Sequence, residues 1–136
     1  MQSSITESGH KVVFKPKFIE RYSKLTDWEK FTACSLSFLR RSIRVNTLKI
    51  QINELKERLE KDWSLECVPW CREGFWIEHK QKERRDIGNL IEHSLGYFYT
   101  QEAASMIPPV VLEPKANEIV LDMAASPGSK STQIAQ

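Results

Sequence analysis

Two stretches hold the residues whose types and spacing could do chemistry. The first is VLDMAASPGSKSTQIAQ, residues 120–136. An apolar run ending in Asp122 delivers a turn of small residues, and the polar segment after it reads as the start of a helix. Small residues let a backbone approach a ligand closely, and a helix start offers unpaired amides to an anion or polar group. The spacing is neither G-x-G-x-x-G nor the phosphate loop G-x-x-x-x-G-K-[ST]. By itself it fits an ordinary strand-to-helix loop as well as a ligand cradle.

The second stretch is RRSIRVNTLK, residues 40–49, where Arg40, Arg41, Arg44 and Lys49 occur without an acidic residue. Ile43 and Val45 alternate with Arg44 and Asn46, the period of a half-buried strand. An Arg and an Asn on one strand face, with Trp and Phe nearby, can grip phosphate and meet bases. The alternative is a solvated edge strand in which Arg44 pairs with an acid such as Glu66. The run Lys80, Lys82, Arg84, Arg85 is interrupted by Glu83 and Asp86 and reads as a polar loop. Gln101 and Glu102 open a helix, where an acid either orients neighbouring loops or compensates the helix dipole.

Cys34, Cys67 and Cys71 are the three cysteines. Cys67 and Cys71 stand four apart, no second ligand pair supports zinc, and His79 and His93 have no partner at metal spacing. All three cysteines read as structural, and no metal site is expected.

These residues need elements to position them. Residues 11–41 look helical, with Phe18, Ile19, Tyr22 and Leu25 on one face and a capping box at Thr26-Asp27-Trp28-Glu29. Phe31, Cys34, Leu36, Phe38 and Leu39 supply apolar contacts for a second helix. After the 43–47 strand, Ile52, Leu55, Leu59 and Trp63 line a helix face supported by Glu54/Arg58 and Glu57/Lys61. LECVPW and GFWI read as short strands around a turn at 71–74. The fold expected is α+β: N-terminal helices, then a small sandwich of the ferredoxin or RNA-recognition type. QEAASMIPPVVL begins as a helix interrupted by Pro108 and Pro109, and IVLDMAA reads as a parallel-sheet strand covered on both faces. Three parts are expected: a disordered 1–10, an α+β domain over 11–95 and a cofactor-domain start over 96–136.

The 136 residues suffice for one modest domain with a core, but not for a complete second one. A net charge of +2 excludes a grossly basic nucleic-acid coat and leaves room for a local patch. No apolar run approaches a membrane span and no secretory signal opens the chain, so a reducing, cytoplasmic setting is the default.

LDMAASPGSKSTQIAQ resembles the first S-adenosylmethionine motif, D-x-x-A-A-P-G-G-K-T, of the Sun (Nol/Nop/Sun) family of RNA (cytosine-5) methyltransferases. RRSIRVNTLK is similar to that family's Arg-Val-Asn-Thr element, and GYFYTQEAASMIPPVVL to its Gln-Glu/Asp-Ala-Ser element. WCREGFWI also fits. The four stand in the family's order over residues 39–136. The resemblance implies that S-adenosyl-L-methionine is held by Ala124, Ala125, Ser126, Pro127, Gly128, Ser129 and Lys130, the first loop of an incomplete Rossmann-type domain. It implies RNA contact, tRNA or rRNA, at Arg41, Arg44, Asn46 and Lys49. Ser129 stands where the family has its second glycine; if that position took a positive φ, a Cβ would be unwelcome. In the family mechanism a thiolate attacks carbon 6 of cytosine, carbon 5 takes the methyl group and a second cysteine assists release. None of the three cysteines matches those positions, so no catalytic residue is assigned. The chain then reads as the front piece of a longer enzyme, inactive alone, its catalytic domain completed by later residues or by a second chain. The alternative is a non-enzymatic RNA-binding module carrying a vestigial cofactor motif.

Overall fold

The computed structural model describes residues 3–5, 11–82 and 86–136, which form two compact units, Met1–Leu39 and Arg40–Gln136. In the first, β1 (Ser3–Ile5) pairs antiparallel with β2 (Lys11–Val13). The disorder expected for 1–10 is thus not what residues 3–5 show; the remainder of that stretch, like Arg84 and Arg85, lies outside the described residues. Residues 11–41 are not continuously helical. Pro16, which lacks an amide hydrogen, opens α1 (Pro16–Ser23), and α2 (Trp28–Leu36) follows. The α2 cap is Asp27, whose carboxylate accepts from the Lys30 amide at 3.0 Å, so the helix starts one residue later than a Thr26 cap would place it. This unit is held by rings. Phe14 stacks on Phe18 at 5.6 Å, Trp28 meets Phe14 edge-on at 5.1 Å, and Tyr22 stacks on Phe31 at 4.9 Å. Cys34, Phe38 and Leu39, expected among the apolar contacts, are exposed.

The second unit contains the strands β3 (Ser42–Val45), β4 (Trp63–Cys67), β5 (Gly74–His79) and β6 (Phe98–Thr100). Helix α3 (Ile52–Leu59) separates β3 from β4, and α4 (Ile91–Ser94) precedes β6. The strands form one antiparallel sheet in the order β4-β5-β3-β6. This β-α-β-β-α-β succession is that of ferredoxin-like sandwiches. The closing strand comes from beyond residue 95, so the stretch expected to begin a separate domain completes this sheet.

Side chains alternate across each strand, and register fixes what each face carries. Ile43 opposes Phe75, and Val45 opposes Phe98. Together with Ile77, Trp63, Leu55 and Leu59 they build the main core against α3. Trp63 belongs to it as the first residue of β4 rather than as part of the helix. The Glu54–Arg58 pair forms at 2.8 Å on the exposed side of α3. The opposite face carries Ser42 and Arg44 and is covered by a second cluster of Val68, Cys71, Ala103 and Met106 with Trp76. There a Cβ on Gly74 would lie 2.7 Å from Met106 Sδ and 3.2 Å from both Cys71 and Val68 Cβ, so the sheet and its cover approach only over a glycine. With both faces covered, all four β3 residues are buried; the strand is not the half-buried one its alternation suggests.

Beyond β6, a 3-10 turn (Ala103–Met106) leads into α5 (Ile107–Leu112). Pro108 and Pro109 sit in the first turn of α5, where a missing amide hydrogen leaves no helix bond unmade. They start a helix instead of interrupting one. Residues 119–122, expected as a strand, have no ladder partner among the described residues, and Leu121 is 82% exposed. A parallel strand is stabilised by neighbours on both sides, and none lies beside it here. The chain ends with α6 (Ser129–Ile134).

Candidate functional site

The expected cofactor loop is a braced turn. Asp122 accepts from the Ala124 amide at 2.8 Å and from the Ser131 hydroxyl at 2.6 Å, closing the loop from both ends. The Ser131 hydroxyl, the Ala124 amide and the nearby Lys130 charge hold the Asp122 carboxyl below its ordinary value. Gly128 takes φ +113° at the N-cap of α6, and no side chain caps the helix. That φ selects glycine here, since an added Cβ would find nothing closer than 3.9 Å. Ser129 is the first helical residue and is not among the positive-φ positions. The glycine the turn requires is therefore retained, and serine at 129 carries no backbone strain. Residues 124–127 are exposed. The seven residues expected to hold the cofactor, 124–130, thus form an exposed turn of small residues followed by an uncapped helix start, whose first amides have no side-chain partner.

The four expected RNA contacts are placed differently from one another. Arg44 is only 3% exposed. Its guanidinium donates to Ser129 O at 3.2 Å and to Thr132 Oγ1 at 3.1 Å, and lies over the Tyr99 ring at 5.8 Å. Burial pushes it down from its ordinary value, against the attraction of Cys71, Tyr99 and Glu73. Arg44 therefore faces α6 instead of solvent. The ion pair considered for it with Glu66 is made by Arg40, which also lies over the Trp76 ring at 4.3 Å. Asn46 follows β3, and its hydrogen-bond partners are different from those of Arg44. Its amide donates to Gly96 O at 3.0 Å and accepts from the Leu48 amide at 3.2 Å. Lys49 joins the same turn, donating to Leu95 O at 3.0 Å, and is exposed; Arg41 is half-buried. Beyond them a cleft of about 530 Å³ opens at the start of α3, lined by Thr47, Gln51, Asn53, Lys56, Arg72 and Glu73 among others.

Residues outside the motif complete the arrangement. Gln101, 2% exposed, donates to Gln133 Oε1 at 2.8 Å and to Ser105 O at 3.3 Å. Gln133 in turn donates to Met106 O, and Gln136 to Val45 O and Thr47 Oγ1. The one available signal was the spacing of Ser129, Thr132, Gln133 and Gln136, a single helical face. Glu102 is a cap, accepting from the Ser105 amide at 3.1 Å. Cys71 is buried, and burial followed by the Glu73 charge pushes its thiol up, away from the thiolate a nucleophile needs. Cys34 and Cys67 are exposed. Among the described residues no group of His, Cys, Asp and Glu could hold a metal, and no helix is long and apolar enough to cross a membrane.

Known proteins resemble this chain over most of its length. A family model for the N-terminal domain of 16S rRNA methyltransferase RsmF matches residues 14–103. A tRNA (cytosine(49)-C(5))-methyltransferase of Pyrococcus abyssi is 54% identical over 88% of the chain, which spans 38% of that relative. Ribosomal RNA small subunit methyltransferase F of Shewanella oneidensis is 46% identical over 91% of the chain, which spans 27% of it. The crystal structure of a methyltransferase homolog protein from Pyrococcus horikoshii superposes with a TM-score of 0.70 at 36% identity, covering 90% of this chain and 44% of that one. The chain thus spans less than half the length of these relatives. The match over residues 14–103, which takes in the antiparallel sandwich, places this chain in the family of the RsmF N-terminal domain, the N-terminal portion of Sun-family methyltransferases.

Proposed function

We propose that this chain is the RNA-facing and cofactor-receiving front part of an S-adenosylmethionine-dependent RNA (cytosine-5) methyltransferase acting on tRNA or rRNA. The observation that carries this reading is the loop at 124–130, with its positive-φ Gly128 and uncapped α6, held against a ferredoxin-like sheet. The names of the similar proteins, a tRNA and a ribosomal RNA methyltransferase, supply the substrate class. When bound, S-adenosylmethionine supplies the methyl group. Residues 124–130 would hold its methionine end, Asp122 braces the loop, and α6 sets where the loop lies. The domain division at residue 95 is retained here in functional terms only: 96–136 contributes the first cofactor elements while its β6 closes the sheet.

RNA contact falls to the exposed cation Lys49, to half-buried Arg41 and to the cleft bearing Lys56 and Arg72. Arg44 and Asn46 serve it indirectly, as supports of the strand and its turn. Each phosphate neutralised by such a cation adds about one unit to the salt dependence of binding. The three unpaired cysteines suit a reducing, cytoplasmic compartment.

The test is equilibrium binding of this chain to S-adenosylmethionine and to total tRNA across a salt series, alongside transfer of labelled methyl groups. The expected result is salt-dependent RNA binding, cofactor binding and no transferred label, because no cysteine here stands at a catalytic position. RNA binding without any cofactor affinity would favour the non-enzymatic RNA-binding module. Label transfer abolished by Cys67→Ser would overturn the structural reading of the cysteines.

A further inference from the structure

The interface between α6 and the sheet is unusual in its chemistry. No residue of α6 is buried, and it is tied to the rest of its unit by hydrogen bonds at the Ser129 carbonyl, the Thr132 hydroxyl and the Gln133 amide, followed one turn later by Gln136. Apolar burial is non-directional and tolerates sliding. Hydrogen bonds prescribe distance and angle, so a helix held this way has a defined position. Two of these bonds come from Arg44, the only charged partner in the set.

Arg44 sits on a covered central strand, and no ion pair joins it to a carboxylate among the described residues. Its Nε is buried without a hydrogen-bond partner. A charge in that setting costs stability compared with an apolar residue of similar size. Two of its nitrogens reach the first turn of α6, at Ser129 and Thr132, directly behind Gly128. Displacing that turn displaces the loop at 124–128.

The geometry points to Arg44 as a positioning residue for the cofactor loop: its guanidinium fork on Ser129 O and Thr132 Oγ1 fixes the start of α6 relative to the RNA-facing sheet. This rests on the cofactor reading of residues 124–130 above. A lysine at 44 keeps the charge but loses the fork, because an ammonium is a point donor without the planar pair of N–H groups. Thr132→Val removes one acceptor and keeps the shape.

The test uses the 136-residue chain and three variants: Arg44→Lys, Thr132→Val and the two combined. Affinity for S-adenosylmethionine and amide hydrogen exchange, residue by residue, are measured on each. Arg44→Lys is expected to weaken cofactor binding about tenfold, the loss of a charge-assisted hydrogen bond. Thr132→Val should lose about threefold, and the combination less than the product of the two, since both act through one contact. Exchange at residues 122–132 should quicken while the amides of β3 and β5 keep their protection. If Arg44 served only general stability, the sheet amides would quicken together with the loop and the two losses would multiply; that result overturns the proposal. Unchanged cofactor affinity in variants of a chain that binds cofactor overturns it too and leaves the cofactor reading standing. Failure of the unmodified chain to bind S-adenosylmethionine overturns both.

Discussion

Two apolar stretches of similar composition meet opposite fates in this chain. Ile43 and Val45 are 0% exposed, packed with Leu55 and Leu59 of α3 in the main core. Ile119, Leu121 and Met123 stand open to solvent, Met123 at 92%. Both stretches are rich in β-branched and aliphatic residues, and both read as strands. The difference is the company each keeps. β3 has β5 on one side and β6 on the other, so its backbone groups are paired and its side chains are covered. Residues 119–122 have no strand beside them. Hydrophobicity determines what a segment gains from a neighbour, not whether one is there. The two sheet faces repeat the lesson at smaller scale: one is closed by apolar contact with α3, the other partly by hydrogen bonds from Arg44, Ser42 and Gln101.

Substitution can break this comparison most sharply at Leu55. Leu55→Ala leaves a cavity under the sheet and should cost about 2–5 kcal/mol of unfolding free energy in urea titration. A cost below about 1 kcal/mol would mean the α3 face is loosely packed and the contrast is overstated. Leu121→Ser should change stability by no more than about 0.5 kcal/mol, because the side chain is already in water. The same substitution should reduce self-association at high concentration, since it interrupts an exposed apolar run. A large loss of stability from Leu121→Ser would show that residues 119–122 are covered in solution.

The smallest expected effect is local and concerns pH. Asp122 has a folded pKa below its unfolded value, so its bracing contribution is present above the unfolded value and is lost as pH falls through the folded one. In an NMR titration the Ala124 amide signal should move with a midpoint below the ordinary carboxylate range of about 3.9. Sheet amides should not follow it. A midpoint at the ordinary value would show that the Asp122 contacts to Ala124 and Ser131 do not persist in solution.

What the sequence alone determined is what depends on local pattern. The alternation of Ile43 and Val45, the amphipathic α3, the strands on either side of residues 71–74 and the small-residue loop before α6 are all periodicities or turn chemistries carried within a few residues. The turn at 124–130 was legible for the same reason: Gly128 is required by the backbone turn itself. Only the tertiary structure decided where Arg44 points. Alternation shows that Ser42 and Arg44 share a face, but what covers that face arrives from 103–106 and 129–136, far along the chain. The sequence likewise could not show that Phe98–Thr100 closes the sheet of β3, nor that Arg40 takes the pairing with Glu66 considered for Arg44, because register between distant strands follows from their packing. Nor could it show that residues 119–122 stand unpaired. An apolar run looks the same with or without neighbours, and its exposure is a property of the rest of the molecule.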